Sequence, residues 1–140
     1  MLVEIANQTK AKINQKLIAQ VVKQVLKFAK IDGTVSVVIV GDKLMKQLNQ
    51  QYRGKNKTTD VLSFAEAESL SPDRSFIGEL VIAWPQIKRQ AKKLKHAVTF
   101  ELVFIIIHGA LHLVGYDDET AAGAALMDKI TNRLIKKIAL

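Results

Sequence analysis

The run TVSVVIV at Thr34–Val40 restricts the fold more than any other stretch of the chain. Its β-branched residues fall on both alternating faces, so it makes a strand that needs cover on both sides. Before it, Ile13, Leu17, Ile18, Val21, Val22, Val25, Leu26 and Ala29 recur at helical spacing, with lysines on the outer face. Asp32-Gly33 stops that helix. Residues 2–6 alternate apolar and polar and predict a first strand. A strand, a helix and a buried strand in succession predict a parallel, right-handed βαβ unit.

The pattern continues through the chain. Gly41-Asp42 turns it, and Asp42 is placed to N-cap a helix reaching Tyr52, with Leu44, Leu48 and Tyr52 on one face. Residues 53–59 (RGKNKTT) predict a polar, basic loop, and residues 60–64 a strand. Residues 65–75 are an acidic, proline-containing loop, and residues 77–82 a strand opened by Gly78. Pro85 suits the first turn of a helix extending to about Lys93. Residues 99–114 predict a buried helix with Gly115 as its αL C-cap. After a loop at 116–119, residues 120–138 form a last helix on Leu126, Ile130, Leu134 and Ile138. The order is therefore β-α-β-α-β-β-α-α-α. It predicts one α/β domain over residues 1–140, with about four strands in a mixed sheet covered by about five helices.

At 140 residues and 49% hydrophobic, the chain can bury a real core. It has no cysteine. That fits a reducing cytoplasm, and any metal site must use His, Asp, Glu or backbone oxygen. The start, MLVEIANQTKAK, has neither an apolar h-region nor a small-residue cleavage site, so no signal peptide is expected. The longest apolar stretch, residues 102–107, is far short of the roughly 20 residues of a membrane span. A cytoplasmic location and no membrane partner are the expectation.

The 21 basic and 13 acidic residues leave a formal charge of +8. Such an excess favours a polyanionic partner, nucleic acid above all, over mere solvation. The charge is also clustered. Residues 80–100 hold Lys88, Arg89, Lys92, Lys93 and Lys95, and the loop after Arg53 holds Lys55 and Lys57. The first helix adds Lys10, Lys12, Lys16, Lys23, Lys27 and Lys30. Acids collect instead near residues 66–73 and 117–119. The basic clusters are read as a face for a nucleic-acid backbone.

The sharpest chemical signal is HGALHLVGYDD, residues 108–118. His108 and His112 at i and i+4 leave one face of a helix, about one turn apart, and can grip one small cation. Gly115 then ends the helix, and Asp118 can fold back as a third ligand. Two histidines and a carboxylate leave a fourth position for water, whose pKa a zinc ion lowers toward about 7. The same set suits ferrous iron in oxygenases, although nothing else in the chain resembles one. The plainer reading of a lone helical histidine is a satisfied core residue, but two at this spacing before a Gly and an Asp point to a metal. Asp117 or Asp118 could instead N-cap the last helix. His96 lies in a basic segment and is not expected to ligate. Position 109 is Gly, where zinc peptidases carry the general-base Glu of H-E-x-x-H. A peptidase is thereby disfavoured, and chemistry at phosphate, with the metal as Lewis acid, is favoured.

HGALHLVGYDD resembles the H-G-x-L-H-L-x-G-Y-D-H signature of the YbeY family, bacterial rRNA maturation endoribonucleases. LNQQYRGKNKTTDVLSF, residues 48–64, is similar to the family's L-N-x-x-Y-R-x-x-x-x-P-T-D-V-L-S-F block, and GELVIAWPQIKRQA, residues 78–91, to its G-D-I-V-I segment and following helix. The resemblance implies a zinc site in a basic cleft, a single-strand-specific endoribonuclease, and a role in 16S rRNA maturation and ribosome quality control. It implies metal-ligand and catalytic roles for His108 and His112. The family's arginine carries over to Arg53, which would contact the scissile phosphate, since a guanidinium grips phosphate bidentately. With Arg53, the cations Lys55, Lys57, Lys88, Arg89, Lys92 and Lys93 would hold ribosomal RNA, and the ribosome or small-subunit proteins would be partners.

Two departures stand out. The family's third histidine is Asp118 here, which adds negative charge and shifts preference from Zn²⁺ toward Mn²⁺ or Mg²⁺. Thr58 replaces the usual Pro, which should loosen the loop after Arg53. The competing reading is a ribosome assembly factor that binds rRNA or ribosomal proteins and cleaves little; a third is a metallohydrolase on a non-RNA substrate. Sequence preference on RNA is expected to be weak. Tyr52, Phe64, Trp84 and Tyr116 read as packing residues, with Tyr116 a candidate cleft residue, and not as a base-reading platform.

Overall fold

In the computed structural model, which describes residues 1–66 and 75–138, β1 (Leu2–Asn7) and β2 (Thr34–Val40) pair in parallel around α1 (Gln15–Ala29). α2 (Asp42–Arg53), β3 (Val61–Ala65) and β4 (Phe76–Ala83) follow. β4 inserts beside β2 in parallel, and β3 pairs antiparallel with β4 at the edge, giving the order β1-β2-β4-β3. Three helices close the chain: α3 (Trp84–Leu94), α4 (Val98–Leu113) and α5 (Ala121–Ile135). The element order and the mixed sheet are those the sequence predicts. Most of the acidic loop predicted over residues 65–75 lies outside the described residues.

The alternation in the strands explains the layering. Val35, Val37, Ile39, Leu80 and Ile82 face a large core shared with α1 and α4, and Ile87 of α3 and Met127 of α5 join it. The intervening Val40, Val81 and Ala83, with Leu62 of β3, face Met45 of α2 in a smaller second core. Both faces of the sheet are therefore covered, as the apolar character of β2 demands. Among the described residues no single helix is long and apolar enough to cross a membrane. The apolar run in α4 is core packing, with Ile106, Ile107 and Leu111 fully buried.

Local chemistry sets the boundaries. Asn14 caps α1, its side chain accepting from the Leu17 N–H (3.1 Å), so the helix starts two residues after Ile13. Gly41, not Asp42, is the N-cap of α2. Asp42 lies inside the first turn and its carboxylate accepts two hydrogen bonds from Arg89 of α3, each 2.8 Å. The Arg89 guanidinium holds the Asp42 carboxyl below its ordinary range. Arg53 is the last residue of α2 rather than the first of a loop. Thr120 caps α5, accepting from Gly123 N–H (3.0 Å), so neither Asp117 nor Asp118 serves there.

Candidate metal centre

α4 carries the two histidines, and its seating on the sheet fixes where they point. A Cβ on Gly109 would stand 3.1 Å from both Leu80 and Val61 side-chain carbons and 3.3 Å from Ser63 Oγ. A side chain there would make Leu80 and Val61 give way by a few tenths of an ångström, so glycine favours this close approach of the helix to β3 and β4. Ser63 Oγ donates to the Gly109 carbonyl (3.0 Å), tying edge strand to helix. Gly109 thus faces the sheet, and a Glu there would have no room.

The end of α4 turns the candidate third ligand, Asp118, inward. Gly115 takes φ +105°, outside the range most side chains adopt. Its N–H donates to the His112 carbonyl (3.2 Å) and that of Tyr116 to the Leu111 carbonyl (3.0 Å), the paired pattern of a Schellman ending. The predicted glycine stop is therefore present one place beyond the C-cap, which is Val114. The reversed chain returns the Tyr116 carbonyl to His112, 3.0 Å from Nδ1. A carbonyl only accepts, so Nδ1 carries the hydrogen and Nε2 keeps a lone pair for a cation.

His112 Nε2 lies 3.3 Å from His108 Nε2, and the two rings stand edge to face at 4.9 Å. Asp118 reaches them with Oδ2 3.4 Å from His108 Nε2 and Oδ1 3.8 Å from His112 Nε2. Donors bonded at roughly 2.0–2.2 Å around a tetrahedral zinc stand about 3.3–3.6 Å apart. The three side chains therefore fit one small divalent ion, and they are the metal-capable group of His, Asp or Glu among the described residues. The histidines are partly buried while the Asp118 side chain is 47% exposed.

A cavity of about 480 Å³ opens on this pair. His108 and His112 share its walls with Arg53, Ser63, Asp60 and Asp128. Arg53 arrives from the far side of the sheet. Its Nη2 donates to the Ser63 carbonyl on β3 (2.9 Å), and its guanidinium carbon stands 4.9 Å from the centre of the Phe64 ring. Asp60 accepts from its neighbour's Val61 N–H (2.7 Å) and from Gln90 Nε2 (3.3 Å). Asp128, on an exposed face of α5, has no hydrogen bond or ion pair among the described residues.

Comparison with known proteins fits this constellation. The family described as Endoribonuclease YbeY matches residues 4–139. The chain belongs to the YbeY family. Endoribonuclease YbeY of Moorella thermoacetica is 39% identical over 118 residues, covering 78% of this chain and 75% of the relative. Endoribonuclease YbeY of Phytoplasma australiense is 35% identical over 144 residues, covering all of this chain and 97% of the relative. The solution structure of TM1509 from Thermotoga maritima superposes with a TM-score of 0.66 at 26% identity, over 97% of this chain and 88% of that one.

Other residues expected to act in this YbeY-family chain lie further off. Lys88, Arg89, Lys92 and Lys93 sit on α3, and Lys55 and Lys57 follow the Gly54 end of α2; none of them lines the cavity. Arg89 is engaged by Asp42. The loop after Arg53 is tied rather than loosened: buried Asn49 donates to the Lys57 carbonyl (2.9 Å), and the Thr58 hydroxyl donates to Asp42 (3.2 Å). His96 bonds the buried Glu101 carboxylate (2.9 Å) at the α3–α4 corner. The Tyr116 ring packs toward Phe28 and away from the cavity, and only its carbonyl serves the site. Asp60 and Asp128 are absent from the sequence reading, because a single Asp on a strand end or an open helix face carries no local signal.

Proposed function

We propose that the protein is a metal-dependent endoribonuclease that cuts single-stranded RNA, acting on 16S rRNA during maturation and ribosome quality control in the cytoplasm. One observation carries the reading: His108 and His112, which form a cluster of metal-binding spacing with Asp118, share a cavity with Arg53. A divalent ion on those three residues, zinc first and Mn²⁺ or Mg²⁺ next, supplies Lewis acidity toward a phosphate oxygen and toward water. His112 is held to one tautomer by the Tyr116 carbonyl, which orients the ligand set. Arg53 binds the scissile phosphate and offsets the charge that gathers on it. Asp60 already accepts hydrogen bonds from Thr59, Val61 and Gln90, so Asp128 is the cavity carboxylate with capacity to take the attacking group's proton. Lysines beyond the cavity hold the RNA backbone and supply no sequence information.

Cleavage of a single-stranded 16S rRNA fragment tests this, comparing wild type with His112→Ala in buffers holding each metal in turn. Metal-dependent scission by wild type and none by the variant is expected. Equal RNA decay by both would sink the nuclease reading. It would favour a ribosome assembly factor that binds rRNA or small-subunit proteins, a reading supported by the carboxylate at position 118.

A further inference from the structure

We propose that a second cavity, across β3 from the metal centre, is a guanine-binding subsite for an RNA nucleotide next to the one that Arg53 holds. The inference rests on the ribonuclease reading above. The cavity measures about 410 Å³ and is lined by Leu48, Tyr52, Phe64, Phe76, Glu79 and Val81, all among the described residues. From sequence alone Tyr52 and Phe64 read as packing residues, but Tyr52 is 53% exposed, with its ring edge-on to Phe64 at 5.2 Å. Phe64 and Glu79 stand opposite each other in the antiparallel pair, so both side chains leave the same face of the sheet. The Glu79 carboxylate is half-buried, with no hydrogen bond or ion pair among the described residues.

Strand β3 connects the two cavities. Val61, Leu62 and Ser63 wall the metal cavity, and Phe64 and Ala65 wall this one. Arg53 bridges them, lining the first while lying over the Phe64 ring of the second. An RNA strand with a phosphate at Arg53 therefore brings an adjacent base to Phe64 and Tyr52, whose flat faces and edges suit stacking. Glu79 selects among the bases. Guanine presents N1–H and the N2 amine side by side, matching the two acceptor oxygens of a carboxylate. Adenine and cytosine offer one amine beside a repelling ring nitrogen, and uracil offers one N–H between two carbonyls. The same carboxylate disfavours a bare phosphate. An apolar peptide segment would leave it desolvated without a partner.

The test uses the metal-loaded full chain and a uridine-rich single-stranded RNA carrying guanosine, inosine or uridine at one position. Scission is expected to concentrate beside the guanosine by about tenfold over uridine, toward the low end of what a two-point hydrogen bond discriminates. Inosine, which lacks the N2 amine, should fall between them. Glu79→Gln should bring the guanosine-to-uridine ratio to about one, and Tyr52→Ala should lower it. Uniform cutting of all three RNAs by wild type would overturn the subsite and leave the nuclease standing. GMP and UMP titrations, followed by NMR at the Phe64 and Glu79 amides, separate the two ideas. Shifts with GMP and not UMP would support the subsite even if no RNA were cut. No shift with GMP beside intact cleavage would overturn the subsite alone, and no shift with no cleavage would overturn both. Shifts only with a peptide rich in Leu and Phe would assign the groove to a protein segment and overturn the guanine proposal.

Discussion

His112 Nδ1 and the Tyr116 carbonyl oxygen lie 3.0 Å apart, a bond made possible by the positive φ of the glycine between them. Gly115→Ala would place a Cβ in open space, so its cost is backbone strain alone. Loss of about 1–3 kcal/mol in urea unfolding is expected. Metal affinity should fall by about 10–100-fold, because the ring loses the partner that orients it. Unchanged affinity in a competitive chelator titration would show that the Tyr116 carbonyl is dispensable.

Metal content tests the ligand set directly. Wild type should hold about one divalent ion per chain, and both His112→Ala and Asp118→Ala should lose it. Asp118→His should move selectivity toward zinc over manganese, since it replaces a hard anionic oxygen with imidazole. Elemental analysis after dialysis against mixed metals reads both outcomes, and retention of metal by Asp118→Ala would remove Asp118 from the set.

Arg53→Ala should lower the cleavage rate by about 10²–10³-fold, the range for losing one preorganised charge donor. Arg53→Lys should recover little, because an ammonium lacks the planar fork that reaches the Ser63 carbonyl and a phosphate together. RNA binding should weaken steeply between low and physiological salt. A flat salt response in a filter-binding assay would count against an RNA substrate.

Asp128→Asn keeps shape and removes the proton acceptor. Cleavage should drop by about 10²–10⁴-fold with metal content unchanged. Full activity would transfer the proton to solvent or to the RNA itself.

The Asp42–Arg89 pair makes a pH prediction. Arg89 holds the Asp42 carboxyl below its ordinary value. The pair's stabilisation is therefore complete above about pH 4, the unfolded carboxylate's range. It is lost as pH falls through the lower folded value. Both side chains are well exposed, so the effect stays below about 1 kcal/mol. Urea midpoints of wild type and Arg89→Ala should differ near neutral pH and converge in acid; a constant gap would discount the pair.

The sheet and helices were legible because each carries its own period, from the alternation of β2 to the stripe of α1. The candidate metal cluster was legible for a similar reason, since its three residues fall within residues 108–118 on one helix and its turn. Arg53 was reached only through resemblance. Its proposed role depends on wrapping round the edge of β3, which no local pattern encodes. Asp42 was misplaced as a cap because its partner, Arg89, lies on another helix. Thr120 was readable as a cap, but the nearby Asp117 and Asp118 are equally good capping types. Tyr52 and Phe64 looked like core, and only the fold reveals the open groove beside them.

The seating of Gly109 against the sheet makes the metal centre a vice with one fixed jaw. The histidine pair rides on the helix at the heart of the core, so amide hydrogens there should be among the last to exchange. Asp118 is the exposed jaw, carried on a solvent-facing turn. Ion entry, ion loss and adjustment to ions of different radius should then fall to one carboxylate rather than to the imidazole pair held on the core helix.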